Sequence, residues 1–297
     1  MKRIVITGGR GQLGIELMHL LHTDYHVFAP SKQELDITQK RQVEQYIEDV
    51  KPYAIIHAAA FTKVDEAEID PSMPILVNAV GTRFLATAAE QVGARMLYIS
   101  TDYVFDGAQA SPYAEEDFPS PINVYGLSKL AGEKFVAGIC SRYTIIRTSW
   151  LYGRSRNNFV VNVVEMAKQG RKIRMIEDQI GSPTNTEDVA KCIKHLLRID
   201  SHGIYHASNE GSCSRYEFAS AIVKFMGIKS TIIPCKSEDF PILARRPRNS
   251  VLISRRGLPA MRHWKSALQD YMDEDNNGAS HKDLDIDPND QLFYESI

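Results

Sequence analysis

The chain is more usefully bounded at first by what it lacks. None of its 297 residues fall in an apolar run near the ~20 that a membrane-spanning helix needs. The start, "MKRIVITGG", has no long apolar stretch ending in a small-residue cleavage site, so it reads as a first strand and not as a signal peptide, and a cytoplasmic protein is expected. The four cysteines, Cys140, Cys192, Cys213 and Cys235, form no CxxC pair, so reduced thiols are expected. The nine histidines include no HExxH and none at zinc-finger spacing with cysteine. Glu16, Glu187 and Asp188 are carboxylates without a recognisable ligand spacing, so they are expected at the surface; no metal ligand is assigned, and a divalent-ion requirement is left open. A net charge of −2 supplies no field to attract nucleic acid or an anionic membrane, and neither is expected as a partner. What remains is 43% hydrophobic and 24% charged residues, the balance of an ordinary soluble protein acting on small molecules.

The periodicity then alternates. Buried-strand patterns at "RIVIT" (3–7), "YHVFA" (25–29), "YAIIHAAA" after Pro52, "RMLYIS" (95–100) and "YTIIRT" (143–148) are separated by helical patterns. The helices fall near Leu13 to Leu21 and at 39–50, 75–92 and 122–138. Strands alternating with helices predict an α/β fold, a doubly wound parallel sheet of Rossmann type over residues 1–150. After 150 the pieces shorten: a helix ended by Gly170, the strand "KIRMI", a helix over 186–198, the strand "GIYHAS" and a helix over 214–226. They predict a smaller C-terminal substrate-binding lobe over 151–272, lying on the carboxyl ends of the sheet, with some chain exchange between lobes. Residues 273–297 are acidic and predict a disordered tail. The rival reading is a docking segment, given Leu292, Phe293 and Tyr294.

"TGGRGQLG" places Gly8, Gly11 and Gly14 between a strand and a helix, the context in which such a triplet binds a dinucleotide. Gly8 permits the sharp exit from the strand, Gly11 lets the backbone approach a pyrophosphate, and Gly14 lets the helix pack close. The helix start faces the phosphates with its N–H groups. The second strand ends "FAPSK" without an acid for a ribose hydroxyl. Arg10 and Lys32 suit a 2′-phosphate, which favours NADPH. Glu34 and Asp36, some twenty residues beyond Gly14, keep NADH open.

"YGLSK" (125–129) puts Tyr125 and Lys129 one turn apart on one helix face. A phenol with a pKa near ~10 exchanges protons poorly at neutrality, and a neighbouring ammonium lowers it. The lysine can also hold the nicotinamide ribose. "YISTDYVF" offers Ser100 or Thr101 at a strand end to polarise a carbonyl. A Y-x-x-x-K pair alone reads as exposed surface; the glycine turn and the Ser-Thr step reverse that reading.

"TGGRGQLG", "AAAFTKVDEAE", "STDYVFDG", "PINVYGLSKLAGE", "RTSWLYG", "NNFV" and "DQIGSPT", in this order over residues 1 to about 272, resemble the extended short-chain dehydrogenase/reductases, and within them the rhamnose-reductase subgroup. That resemblance implies a catalytic triad of Thr101, Tyr125 and Lys129. It implies cofactor contacts at Gly11, Gln12, Leu13, Asp36 and Ile37, at Ala58, Ala60, Phe61, Thr62 and Ile99, and at Tyr125 and Lys129 themselves. Asp102, Tyr103, Trp150, Asn158, Gln179 and Arg246 match positions around a sugar nucleotide. The implied activity is NADPH-dependent reduction of the C4 ketone of dTDP-4-dehydro-L-rhamnose. A flat indole suits a deoxysugar or base, and a guanidinium fork suits a diphosphate. The ordinary readings are a core Trp150, a solvated Arg246 and a helix cap at Asn158. A 4,6-dehydratase of this family carries Thr-Asp-Glu where this chain has Thr101-Asp102-Tyr103, so the acid for C5 deprotonation is missing. An epimerase, a related 4-keto sugar-nucleotide reductase and a non-catalytic NADP-binding regulatory subunit remain as alternatives. Oligomeric state is left open, a homodimer included.

Overall fold

The structure, a computed structural model, describes residues 1–155 and 158–276. β1 (Arg3–Thr7), α1 (Gln12–Leu21), β2 (His26–Phe28), α2 (Lys40–Val50) and β3 (Ala54–His57) open the chain. α3 (Val64–Ile69) follows; α4 (Ser72–Pro74) then runs through a π-helical stretch, Ile75–Gly81, into α5 (Thr82–Gln91). β4 (Arg95–Thr101), α6 (Val124–Ile139) and β5 (Tyr143–Thr148) complete the expected alternation. Beyond them lie β6 (Leu151–Tyr152), α7 (Phe159–Lys168), β7 (Ile173–Ile176), β8 (Ile180–Gly181), β9 (Thr184–Asn185), α8 (Thr186–Arg198) and β10 (Gly203–His206). β11 (Cys213–Ser214), α9 (Arg215–Phe225), β12 (Ile232–Cys235) and α10 (Trp264–Asn276) follow.

Six strands form one sheet in the order β10-β5-β4-β3-β1-β2, every pair parallel. β3 and β4 are buried along their whole length, as strands covered on both faces must be. One face packs Ile4, Ile6, Ile56 and Leu97 against Leu13, Leu17 and Leu21 of α1. The other packs Val5, Ile55, Met96 and Ile145 against Val43 and Ile47 of α2, Leu85 of α5 and Val136 of α6. The strand order reverses between β1 and β3, so the carboxyl ends of these two strands flank a crevice where such sheets take their ligands.

α8 and β10 lie in the stretch that the sequence reading gives to the smaller lobe, yet they return to the large sheet. Val189, Ile193 and Leu196 of α8 join the α1 side of the core, and β10 pairs with β5 from Gly203↔Thr144 to His206↔Arg147. The remaining pieces make a second layer. Two-stranded pairs β7–β12, β8–β11 and β6–β9 surround a separate core that includes Tyr152, Val163, Phe218, Trp264 and Leu268. α10 extends to Asn276, so residues 273–276, expected as the start of the disordered tail, are helical. The rest of that tail, with Leu292, Phe293 and Tyr294, lies outside the described residues.

Candidate active site

At the end of β1 the backbone turns at Gly8, with φ +72°, and the Gly11 N–H donates to the Gly8 carbonyl at 3.0 Å. A Cβ on Gly14 would run into that same carbonyl oxygen, so only glycine lets α1 start this close to the strand. Gly11 is the N-cap of α1 and no side chain caps it. The helix start thus offers its N–H groups and positive dipole end to an anion, and the cradle fits a pyrophosphate. Gln12 and Leu13 begin this helix, and Arg10 is exposed in the turn before it. Ile37 packs beneath Gly81. Asp36 accepts from the Thr38 N–H at 2.9 Å and the Thr38 hydroxyl at 2.7 Å. After β3, residues Ala58 to Thr62 form the opposite wall. Ala58 N–H donates to the Thr7 carbonyl at 3.1 Å. Asn78, from the π-helical stretch, brackets Phe61 by accepting from its N–H at 2.8 Å and donating to its carbonyl at 3.0 Å.

The third wall is the end of β4 with the start of α6. Successive strand residues point to opposite faces. Ser100 accordingly donates to buried Glu133 at 2.5 Å, while Thr101 turns into the crevice and donates to Asp102 at 3.1 Å. This selects Thr101 from the two hydroxyls. Asn123 caps α6, accepting from the Gly126 N–H at 2.7 Å, and the Val124 N–H donates to Glu68 of α3 at 2.8 Å. A Cβ on Gly126 would strike the Tyr103 carbonyl, so this glycine lets α6 press against the turn after Thr101. Ser128 donates to the Tyr125 carbonyl at 2.7 Å and accepts from Asn78 at 2.9 Å. The middle letters of "YGLSK" therefore dock the helix, and its first letter is placed by them. The Tyr125 phenol lies by Thr101, which acts on its pKa, and its ring meets Tyr103 edge-on with centroids 5.8 Å apart.

Lys129 differs from the sequence expectation. It is 2% exposed, its Nζ donates to the Ile99 carbonyl at 2.7 Å, and it lies 4.1 Å from the Tyr98 ring centroid. Burial pushes Tyr125 well above the usual phenol value; Thr101 opposes this, and Asp102 and Tyr103 add to it. The acidified phenol expected from a neighbouring ammonium is thus not present in this conformation. Burial also pushes Lys129 down to about 7, with Glu133 opposing. Both shifts have one main cause, the loss of water around either charge.

Asp102 is buried, accepting from Ser250 at 2.5 Å as well as from Thr101. Burial pushes it up to about 6, with Ser250, Thr101 and Arg215 opposing. Trp150 sits at the end of β5 with φ +46°, a left-handed conformation that costs a non-glycine residue of order 1–3 kcal/mol. Its indole is wedged against Gly181, where a Cβ would clash with the ring, and the Arg215 guanidinium stacks on it at 3.6 Å from the centroid. Ser250 ties this region together: its N–H donates to the Ile180 carbonyl at 2.9 Å, beside Gln179.

The sequence matches the family model described as "RmlD substrate binding domain" over residues 1–277. The chain belongs to this family. Among curated relatives, the spore coat polysaccharide biosynthesis protein SpsK of Bacillus subtilis is 38% identical over 92% of this chain and 98% of its own. The dTDP-4-dehydrorhamnose reductase of Aggregatibacter actinomycetemcomitans is 39% identical over 85% and 90%. The solved dTDP-4-dehydrorhamnose reductase of Bacillus anthracis in complex with NADP superimposes with a TM-score of 0.90 and 41% identity, over 92% of this chain and 99% of that one.

Within this RmlD-family chain three sequence-derived positions look different once placed. Asn158 is 1% exposed and caps α7, accepting from the N–H groups of Val160 and Val161 at 2.9 and 3.1 Å. Its amide N–H groups go to the Gly153 and Ser155 carbonyls, so the expected substrate contact gives way to the helix cap. Trp150 is half-buried, with the Arg215 guanidinium stacked on a flat face of its indole. Arg246 grips Asp65 with both ends of its fork, at 3.1 and 2.5 Å, and donates to the Ala244 carbonyl at 3.2 Å. Gln179 is buried and donates to Ser237 at 3.0 Å. Among the described residues no cluster of histidine, cysteine and carboxylates is arranged to hold a metal, and no helix is long and apolar enough to cross a membrane. Glu16, Glu187 and Asp188 are ion-paired with Arg154, Lys191 and Arg262 at 3.3, 2.8 and 2.8 Å.

Sequence reasoning passed over Asn78, Asp65, Ser250 and Arg215. Only Asn78 carries a usable signal, a buried amide in an otherwise apolar helical run, "ILVNAVG".

A pH dependence follows from Lys129. Its folded pKa lies below its unfolded value, so between about pH 7 and about pH 10 the unfolded chain binds more protons and stability rises with pH. Urea midpoints of the ligand-free protein should show Lys129→Met losing ground to wild type as pH rises from 7 to 10. A difference that does not change with pH would mean that Lys129 stays charged when buried.

Proposed function

We propose that this chain is an NADP-dependent oxidoreductase that reduces the C4 ketone of dTDP-4-dehydro-L-rhamnose to dTDP-L-rhamnose, for cell-surface polysaccharide. The observation that carries the reading is Tyr125 set by Thr101 at the end of β4, in a chain that also has the glycine turn and whose relatives are named for this reduction.

NADPH supplies the hydride. Gly8, Gly11 and Gly14 with the α1 N-terminus hold its pyrophosphate, Gln12 and Leu13 line that turn, and Arg10 suits the 2′-phosphate. Asp36 and Ile37 border the adenine, while Ala58 to Thr62 and Ile99 line the nicotinamide side. Lys129, now on the Ile99 carbonyl, would hold the nicotinamide ribose. Thr101 donates to the substrate C4 oxygen as charge develops on it, and the Tyr125 hydroxyl delivers the proton there. Its raised pKa keeps it protonated until an oxyanion, a stronger base, stands beside it. Asp102 and Tyr103 meet the sugar, with Gln179 at the edge of its site. We place the reaction in the cytoplasm.

Mixing protein, NADPH and dTDP-4-dehydro-L-rhamnose should lower the absorbance of reduced nicotinamide in step with formation of dTDP-L-rhamnose. Bound NADPH with no consumption would replace this reading by a regulatory, non-catalytic one.

A further inference from the structure

The sequence nominates one arginine, Arg246, for the substrate's diphosphate, but the structure gives most of its fork to other work. Its two terminal nitrogens hold Asp65 and the Ala244 carbonyl, and Asp65 also accepts from the N–H groups of Leu243 and Ala244 at 3.0 and 2.9 Å. Arg246 therefore straps residues 243–246 across α3. A second guanidinium stands across from it. Arg215, the first residue of α9, stacks flat on Trp150 at 3.6 Å from the ring centroid and lies 5.3 Å from that of Phe159. Both arginines act on the Tyr103 phenol, opposing the upward push that burial gives it, so two cations converge on one ring. The acids facing this group are Asp65, which belongs to Arg246, and Asp102, which accepts from Ser250 and Thr101.

Position adds to charge. The Tyr103 ring lies edge-on to Tyr125 with centroids 5.8 Å apart, so the ring on which the arginine pair acts is also the neighbour of the proton donor. In a 4-keto hexose nucleotide the diphosphate hangs from C1, across the sugar ring from C4. If C4 sits at Tyr125, the diphosphate falls at this pair.

We propose that Arg215 is a substrate-binding residue, the second arm of a diphosphate clamp formed with Arg246 around the Tyr103 ring. It rests on the function proposed above and deepens it. Trp150 then serves as the platform that holds the guanidinium planar and oriented, which accounts for a half-buried indole on a left-handed backbone beneath a cation. A preorganised fork gives two charge-assisted bonds to phosphate oxygens, where a lysine gives a point charge.

The test is calorimetric titration of thymidine diphosphate into the NADPH-loaded protein, with Arg215→Met, which keeps much of the stem over Trp150, and Arg215→Lys, which keeps the charge. Arg215→Met should weaken thymidine diphosphate binding about 10- to 100-fold and raise KM for the keto-sugar nucleotide by a similar factor, with kcat within a few-fold and NADPH affinity unchanged. It should also flatten the dependence of Kd on salt, an effect that a packing role would not produce. Arg215→Lys should fall between, and it carries the test if the methionine variant does not fold. Wild-type affinity for thymidine diphosphate in either variant, with unchanged salt dependence, overturns the clamp alone. Wild-type protein that binds NADPH but neither thymidine diphosphate nor the keto-sugar nucleotide overturns the clamp together with the function beneath it.

Discussion

Tyr125→Phe should lower kcat by about 10²- to 10⁴-fold, the usual contribution of a positioned proton donor, while NADPH affinity stays within a factor of about two. The substitution removes one oxygen and keeps the ring. That ring still meets Tyr103 at 5.8 Å, and α6 is still fixed by Asn123, Gly126 and Ser128, none of which uses the phenol. The loss should therefore appear in the chemical step, read from single-turnover oxidation of bound NADPH. If single-turnover rates survive, the proton comes from elsewhere. Asp102 is then the first candidate, one hydrogen bond from Thr101 and pushed up to about 6 by burial.

Much of the fold was legible because β1, β3, β4 and β5 are apolar and almost wholly buried. "RIVIT" and "YTIIRT" coincide with β1 and β5, and the helix read at 186–198 is α8 to the residue. The placement of α8 and β10 was not legible. An amphipathic helix announces that it has an apolar face, and nothing in its pattern names α1 as the surface that covers it. β6, β8, β9 and β11 are two residues each, too short for any period to register. The site divides in the same way. The glycine turn and Tyr125–Lys129 follow local rules of spacing and could be read. Ser128 joining Asn78, and Arg215 covering Trp150, link positions 50 and 65 residues apart (128 − 78 and 215 − 150), and no local rule reaches across such gaps. Asn158 shows the converse: a residue matched to a substrate position is fully explained by the helix it starts.

The largest effect on stability should come from the ion pair behind the reacting wall. Glu133 lies one helical turn beyond Lys129, and Arg147 on β5 meets it with two hydrogen bonds at 2.9 and 2.8 Å. The two are 3% and 1% exposed, and Ser100 completes the shell of Glu133. Arg147 also lies 5.1 Å from the Phe105 ring centroid and 3.5 Å from His206, which burial and then Arg147 push down to about 4. Arg147→Met leaves a carboxylate in the core with one hydroxyl for company, and breaking such a pair from one side costs about 3–5 kcal/mol. Set against a total stability of about 5–15 kcal/mol, that loss is enough to bring the urea midpoint down sharply. Removing both charges is a different matter, because the pair's attraction is largely offset by the water that both partners give up. Arg147→Met with Glu133→Leu should recover most of the lost stability in a double-mutant cycle. It should not recover the enzyme, because Glu133 is also the group that opposes the fall of the Lys129 pKa. Without that carboxylate, Lys129 holds its proton less readily and its hold on the nicotinamide ribose weakens. The double variant should fold close to wild type and bind NADPH more weakly at pH 8 than at pH 6, with a wider gap between the two than wild type shows. A double variant as unstable as Arg147→Met alone would mean that the cost lies in lost packing around Phe105 and His206, not in a stranded charge.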